Sequence, residues 1–116
     1  MKKNVLISTG GSGGHVIPAI ILHEHLSDER NVILSSDKRG LKYFDNSKYK
    51  FEIINTPKMK NIFFFSFNLI IILFLIFKSF FLIKKNKIDE VFSTGGYMSL
   101  PIILAARFLN LNIYLI

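Results

Sequence analysis

Cysteine is absent from this 116-residue chain, so neither disulfides nor thiolate metal sites can enter its stability or chemistry. Acidic residues are scarce. Eight Asp and Glu stand against 15 Lys and Arg, and the net charge of +7 calls for an acidic partner, either nucleic acid or an anionic membrane. A cleavable leader is also missing, since Met1-Lys2-Lys3 runs straight into an apolar stretch and then into glycines, and a cytoplasmic setting is expected. No internal repeat stands out, and the length supports one domain with a genuine core. Of the 7 glycines, most fall in two short runs, at Gly10 to Gly14 and at Gly95-Gly96.

The first run, Thr9-Gly10-Gly11-Ser12-Gly13-Gly14-His15, follows the apolar stretch Val5-Leu6-Ile7 and precedes a helical pattern. Glycines let the backbone bend sharply and approach a ligand, and the N-terminus of the following helix offers unpaired N–H groups and a positive dipole end. The combination reads as a seat for an anion such as a diphosphate. Pro18 belongs in a first helical turn, so the helix is expected to begin near His15 to Ile17 and to bury Val16, Ala19, Ile20 and Leu26. A dinucleotide fingerprint fits poorly, because Val16 stands where its third glycine should be, although Asp37 could still meet a ribose hydroxyl. A Walker A loop fails, because the run ends in Gly-Gly-His rather than Gly-Lys-Ser/Thr.

The chain divides into alternating elements. Strands are predicted at Lys3 to Ser8, Asn31 to Ser35, Phe51 to Ile54, Glu90 to Ser93 and Asn112 to Ile116. Helices are predicted at His15 to Ser27, over the apolar segment Ile62 to Ile83, and from an N-capping Ser99 with Pro101 in the first turn to Leu109. A short helix is expected around Arg39 to Phe44 within the polar stretch Ser36 to Lys50. This order implies an α/β fold with a doubly wound parallel sheet, Rossmann-like, with the glycine runs at the carboxyl ends of strands.

The distribution of charge separates the two acidic partners. Lys58, Lys60, Lys84, Lys85 and Lys87 bracket Ile62 to Ile83, where Phe63, Phe64, Phe65, Phe67, Phe74 and Phe77 occur without charges between them. Single-stranded nucleic-acid binders interleave aromatics with a basic groove, so this pattern speaks for lipid and against nucleic acid. Twenty-two residues give about 33 Å of helix, enough for a span. Yet the segment lies between two strand-like stretches of one sheet, which argues for a crossover helix. The expected arrangement has one face on the sheet and the other on the membrane surface, with Phe63, Phe64, Phe67 and Phe74 in lipid and Lys60, Lys84 and Lys85 on anionic headgroups. A wholly buried helix and a true span are the alternatives.

The motif Gly-Gly-Ser-Gly-Gly-His-Val-Ile-Pro-Ala resembles the first glycine loop of the MurG family, glycosyltransferase family 28. The stretch Ser93-Thr94-Gly95-Gly96-Tyr97-Met98-Ser99-Leu100-Pro101 is similar to that family's second glycine loop, which commonly reads Gly-Gly-Tyr-x-Ser-x-Pro. The resemblance implies the N-terminal, acceptor-binding half of a two-domain GT-B glycosyltransferase, incomplete at its C-terminus, with the C-terminal UDP-sugar domain absent. It implies transfer of N-acetylglucosamine from UDP-N-acetylglucosamine to undecaprenyl-diphosphate-linked muramyl pentapeptide in peptidoglycan synthesis, peripherally on the cytoplasmic side of the inner membrane. No metal and no cofactor are implied.

On this resemblance Ser12, Gly13 and Gly14 contact the UDP-sugar, and Gly95, Gly96, Tyr97 and Ser99 form a nest for the acceptor diphosphate. Inverting transfer needs a base for the acceptor hydroxyl, and His15 is the candidate on a glycine loop. The plainer role for His15 is a hydrogen bond to phosphate or backbone. His23 and His25, two apart on a helix, point in different directions and make no zinc site. Asp89 and Glu90 are expected to be solvated at the start of a strand. A different class remains open, a non-catalytic membrane-recruiting subunit of a split glycosyltransferase.

Overall fold

The computed structural model describes residues 3–10, 13–43, 51–54, 65–94 and 99–116. The elements are β1 (Lys3–Ser8), α1 (Gly13–Leu26), β2 (Arg30–Ser36), a 3-10 turn (Lys38–Tyr43), β3 (Phe51–Ile53), α2 (Phe65–Lys85), β4 (Glu90–Ser93), α3 (Leu100–Phe108) and β5 (Asn112–Leu115). All strand pairs are parallel, in the order β3-β2-β1-β4-β5. The chain winds outward from β1 to β3, and α2 then carries it back to β4 on the other side of β1. The direction of winding reverses between β1 and β4, which is where ligands sit in open α/β sheets.

Alternate residues of the central strand feed opposite faces, as a pleated strand requires. Val5, Ile7 and Leu34 pack with Val16 and Ala19 of α1. Leu6, Ile33 and Val91 pack with Leu75, Leu82 and Ile83 of α2 and with Ile102, Ala105 and Ala106 of α3. The small Ala105 and Ala106 let α3 approach the sheet closely, and Phe80 meets Phe108 edge to face at 5.3 Å. Thus α1 covers one face while α2 and α3 share the other.

Strands β2, β3 and β5 differ from expectation by one residue at one or both ends, and the helix boundaries differ for local reasons. Helix α1 begins at Gly13, ahead of His15, so Pro18 lies inside the helix. A proline there lacks the N–H that would bond the Gly14 carbonyl, and Gly14 is an exposed residue where water can take that place. The same helix stops at Leu26, and Ser27 caps it by giving both its N–H and its hydroxyl to the His23 carbonyl. Helix α2 runs past Ile83 through Lys84 and Lys85, good helix formers whose charge suits a C-terminus. It then closes on left-handed Lys87 (φ 52°), with the Ile88 N–H on the Ile83 carbonyl at 3.0 Å. Asn110 (φ 58°) closes α3 in the same way. The expected short helix is the 3-10 turn Lys38–Tyr43, and the expected helix start at Ile62 to Phe64 lies outside the described residues.

Two alternatives for the apolar segment are overturned. Helix α2 leaves the sheet at β3 and rejoins it at β4, so it does not span, and among the described residues no helix is long and apolar enough to cross a membrane. Nor is it wholly buried: Ile70, Phe74, Phe77 and Phe81 are 66%, 71%, 72% and 70% exposed. These recur at helical spacing and form one outer stripe.

The 3-10 turn is pressed against the first glycine run. Gly10 has φ +146°, and a Cβ on it would stand 2.8 Å from Asp37 Oδ1. A Cβ on Gly40 would strike Ser36 Oγ and lie 3.1 Å from Gly10 Cα and 3.2 Å from Val16 Cγ2. Gly40→Ala is therefore expected to destabilise the fold by about 1–3 kcal/mol through overpacking, read as a lower urea midpoint at unchanged m.

Candidate active site

Strands β1 and β4 run in register, with Ser8 opposite Ser93, and the Thr94 N–H continues the ladder onto the Ser8 carbonyl at 3.1 Å. The residues that follow each strand are thereby brought side by side. His15, in the first turn of α1, is half-buried and sets Nδ1 2.9 Å from the Thr94 carbonyl oxygen. A carbonyl only accepts, so Nδ1 carries a proton, and in the neutral ring the lone pair is then on Nε2. The tautomer a general base needs is thus set by the backbone of the opposite loop.

Thr94 holds the same residue a second way. Its hydroxyl lies 2.8 Å from the His15 carbonyl and 2.7 Å from the Thr9 hydroxyl. With one proton on each hydroxyl, Thr94 donates to the carbonyl and accepts from Thr9. Below this pair the Ser8 hydroxyl donates to Ser99 Oγ at 3.0 Å. Four buried hydroxyls, on Ser8, Thr9, Thr94 and Ser99, line the seam between the two loops.

Sequence reasoning missed this seam, although a signal was present. The tetrapeptide Ser-Thr-Gly-Gly occurs twice, as Ser8-Thr9-Gly10-Gly11 and as Ser93-Thr94-Gly95-Gly96. The structure pairs the serines in the strand register and the threonines through their hydroxyls.

The other site expectations fare differently. Gly13 and Gly14 form the first turn of α1, where backbone N–H groups precede the helix's own hydrogen-bond ladder and can receive an anion. Ser12, Gly95, Gly96 and Tyr97 lie outside the described residues. Ser99 does not reach toward a diphosphate: it is fully buried, its hydroxyl is tied to Ser8, and it makes no side-chain cap to α3. Its job is to pin the start of α3 to β1.

Asp37 is likewise unavailable to a ribose. It is buried, pairs with Arg39 at 2.8 Å, and accepts the Gly40 N–H at 3.0 Å, so it builds the 3-10 turn. Glu90 is buried rather than solvated, with Oε1 3.7 Å from Lys3 Nζ and 3.8 Å from Arg30 Nε. Asp89 is exposed and receives the Asn4 N–H at 2.8 Å. His25 is exposed and His23 half-buried on α1.

Residues 5–115 match the glycosyltransferase family 28 N-terminal domain. The chain belongs to this family. A UDP-N-acetylglucosamine--N-acetylmuramyl-(pentapeptide) pyrophosphoryl-undecaprenol N-acetylglucosamine transferase of Pelagibacter ubique is 51% identical over 116 residues, covering 99% of this chain and 33% of that protein. The transferase of the same name from Prochlorococcus marinus subsp. pastoris is 40% identical over 117 residues, covering 98% of this chain and 32% of its own. Among solved structures, MurG of Acinetobacter baumannii matches with a TM-score of 0.80 at 26% identity, over 97% of this chain and 34% of that one. A UDP-N-acetylglucosamine 2-epimerase shares the fold, with a TM-score of 0.69 at 17% identity. This family 28 domain spans about a third of the length of the curated relatives it matches.

Proposed function

We propose that residues 1–116 form the acceptor-binding N-terminal domain of an inverting N-acetylglucosaminyltransferase. It would join N-acetylglucosamine from UDP-N-acetylglucosamine to undecaprenyl-diphospho-N-acetylmuramyl-pentapeptide, together with a UDP-sugar-binding C-terminal domain. The observation that carries this reading is the His15 imidazole, held through Nδ1 by Thr94 with Nε2 left as a base, in a chain 51% identical to the Pelagibacter transferase.

The chemistry follows from that geometry. The acceptor hydroxyl oxygen bonds to C1 of the sugar as the bond from C1 to the UDP oxygen breaks, and the configuration at C1 inverts. The hydroxyl proton passes to His15 Nε2, and the electron pair of the broken bond leaves with UDP. Negative charge building on the diphosphate meets N–H groups at Gly13 and Gly14, with Ser12 beside them. Gly95, Gly96 and Tyr97 then serve the acceptor diphosphate.

Helix α2 supplies the membrane contact. Phe74 and its exposed neighbours enter lipid and Lys84 and Lys85 meet anionic headgroups; Phe63, Phe64, Phe67 and Lys60 are proposed as further lipid contacts on the sequence pattern alone. On this reading the domain works peripherally on the cytoplasmic side of the inner membrane, where a lipid-linked acceptor is within reach.

A graft tests the reading. Residues 1–116 replace the corresponding segment of the Pelagibacter transferase, and sugar transfer is measured with radiolabelled UDP-N-acetylglucosamine and the lipid-linked acceptor. Transfer by the folded graft is the expected result. A graft that folds and binds UDP yet transfers nothing overturns the catalytic reading in favour of a recruiting subunit.

A further inference from the structure

Beside the exposed stripe of α2 lies a small cavity of about 200 Å³, lined by Glu52, Lys78, Phe81, Leu82, Lys85 and Asn86. It sits between α2 and the edge strand β3, away from the seam that holds His15. Cavities that enclose nucleotide-sized ligands run from about 300 to 1,000 Å³, so a nucleotide sugar is too large for this one. Its polar groups are of both signs. Lys78 is anchored by donating from Nζ to the Ile53 carbonyl at 3.0 Å, Lys85 stands two turns further along α2, and Glu52 faces them from β3.

We propose that this cavity receives the headgroup of a zwitterionic aminophospholipid, phosphatidylethanolamine. Lys78 and Lys85 hold the phosphate, Glu52 holds the primary ammonium, and Phe81 continues the apolar stripe on which the acyl chains rest. The proposal rests on the membrane-facing role of α2 given above.

Charge complementarity selects this occupant. An anionic headgroup without an amine satisfies the lysines but leaves Glu52 facing like charge. A choline headgroup brings a quaternary ammonium that cannot donate hydrogen bonds to the carboxylate. Phosphatidylethanolamine satisfies all three groups. Lys84, outside the cavity, supplies general attraction to a negative surface, whereas the cavity with Lys78, Lys85 and Glu52 supplies discrimination among lipids.

Sedimentation of the purified chain with vesicles tests this. Vesicles of phosphatidylcholine alone are compared with mixtures carrying equal fractions of phosphatidylethanolamine or phosphatidylglycerol, at low and high salt. Phosphatidylethanolamine is expected to raise binding over phosphatidylcholine by an increment that falls less steeply with salt than the gain from phosphatidylglycerol. Glu52→Gln, isosteric and half-buried, is expected to lower binding to phosphatidylethanolamine vesicles about fivefold and to leave phosphatidylglycerol binding equal or stronger. Unchanged phosphatidylethanolamine binding in a folded Glu52→Gln variant overturns the headgroup site. If that variant is unaffected while Phe74→Ser abolishes binding to every vesicle, the membrane face stands and the cavity has no part in it. Failure of the folded parent chain to bind any vesicle overturns both.

Discussion

In the grafted transferase, His15→Ala is expected to lower kcat by about 10²- to 10⁴-fold with little change in the KM for UDP-N-acetylglucosamine, the signature of a lost transition-state contact. The expectation comes from the arrangement of the ring more than from its residue type. Nδ1 is committed to the Thr94 carbonyl, so the lone pair that could accept a proton is on Nε2 alone. Removing the ring also leaves that carbonyl without its donor, which costs on the order of 1–3 kcal/mol if water does not replace it. A thermal melt must therefore accompany the kinetics. His15→Gln separates the two roles, because a side-chain amide can still donate to Thr94 but cannot take a proton at neutral pH. Turnover at the parent rate in either variant eliminates the base and leaves His15 as a structural tie between the loops.

The second large effect concerns α2. The double substitution Phe74→Ser and Phe77→Ser is expected to reduce partitioning onto anionic vesicles about a hundredfold or more while leaving the far-UV circular dichroism unchanged. Each ring is more than two-thirds exposed, so the fold gains little from it. Burial of a phenylalanine side chain in an apolar phase is worth about 1.5–3 kcal/mol, and two lost insertions amount to at least two powers of ten. Vesicle binding unaffected by the pair would show that lysine charge alone holds the chain at a membrane, and raised salt would then release it completely.

Much of the fold was legible because it rests on short-range pattern. Lys3–Ser8 and Glu90–Ser93 are strands with the bounds that alternation and flanking glycines indicated. The long apolar segment was recognisable as a crossover helix from its place between strands. What the sequence hid are pairings across long separations. Ser99 reads as an ordinary helix cap until β4 brings it beside Ser8, more than ninety residues away. Glu90 reads as a surface carboxylate until β1 and β2 set Lys3 and Arg30 against it. Asp37 was open to a ligand role only while its neighbours were unknown, since Arg39 and Gly40 consume both carboxylate oxygens. In the candidate site, glycine and histidine were visible from local chemistry. The carbonyl that decides which nitrogen of His15 is basic carries no side-chain signature at all.

Strand β5 ends the sheet, paired with β4 on one side only, and most of Asn112–Leu115 is exposed. Tyr114 stacks one ring face on Phe92 of the neighbouring strand at 4.8 Å. No lysine or proline interrupts the stretch Asn-Ile-Tyr-Leu, and those are the residues by which natural edges discourage further pairing. Asn112–Leu115 therefore offers a border on which a further strand can pair.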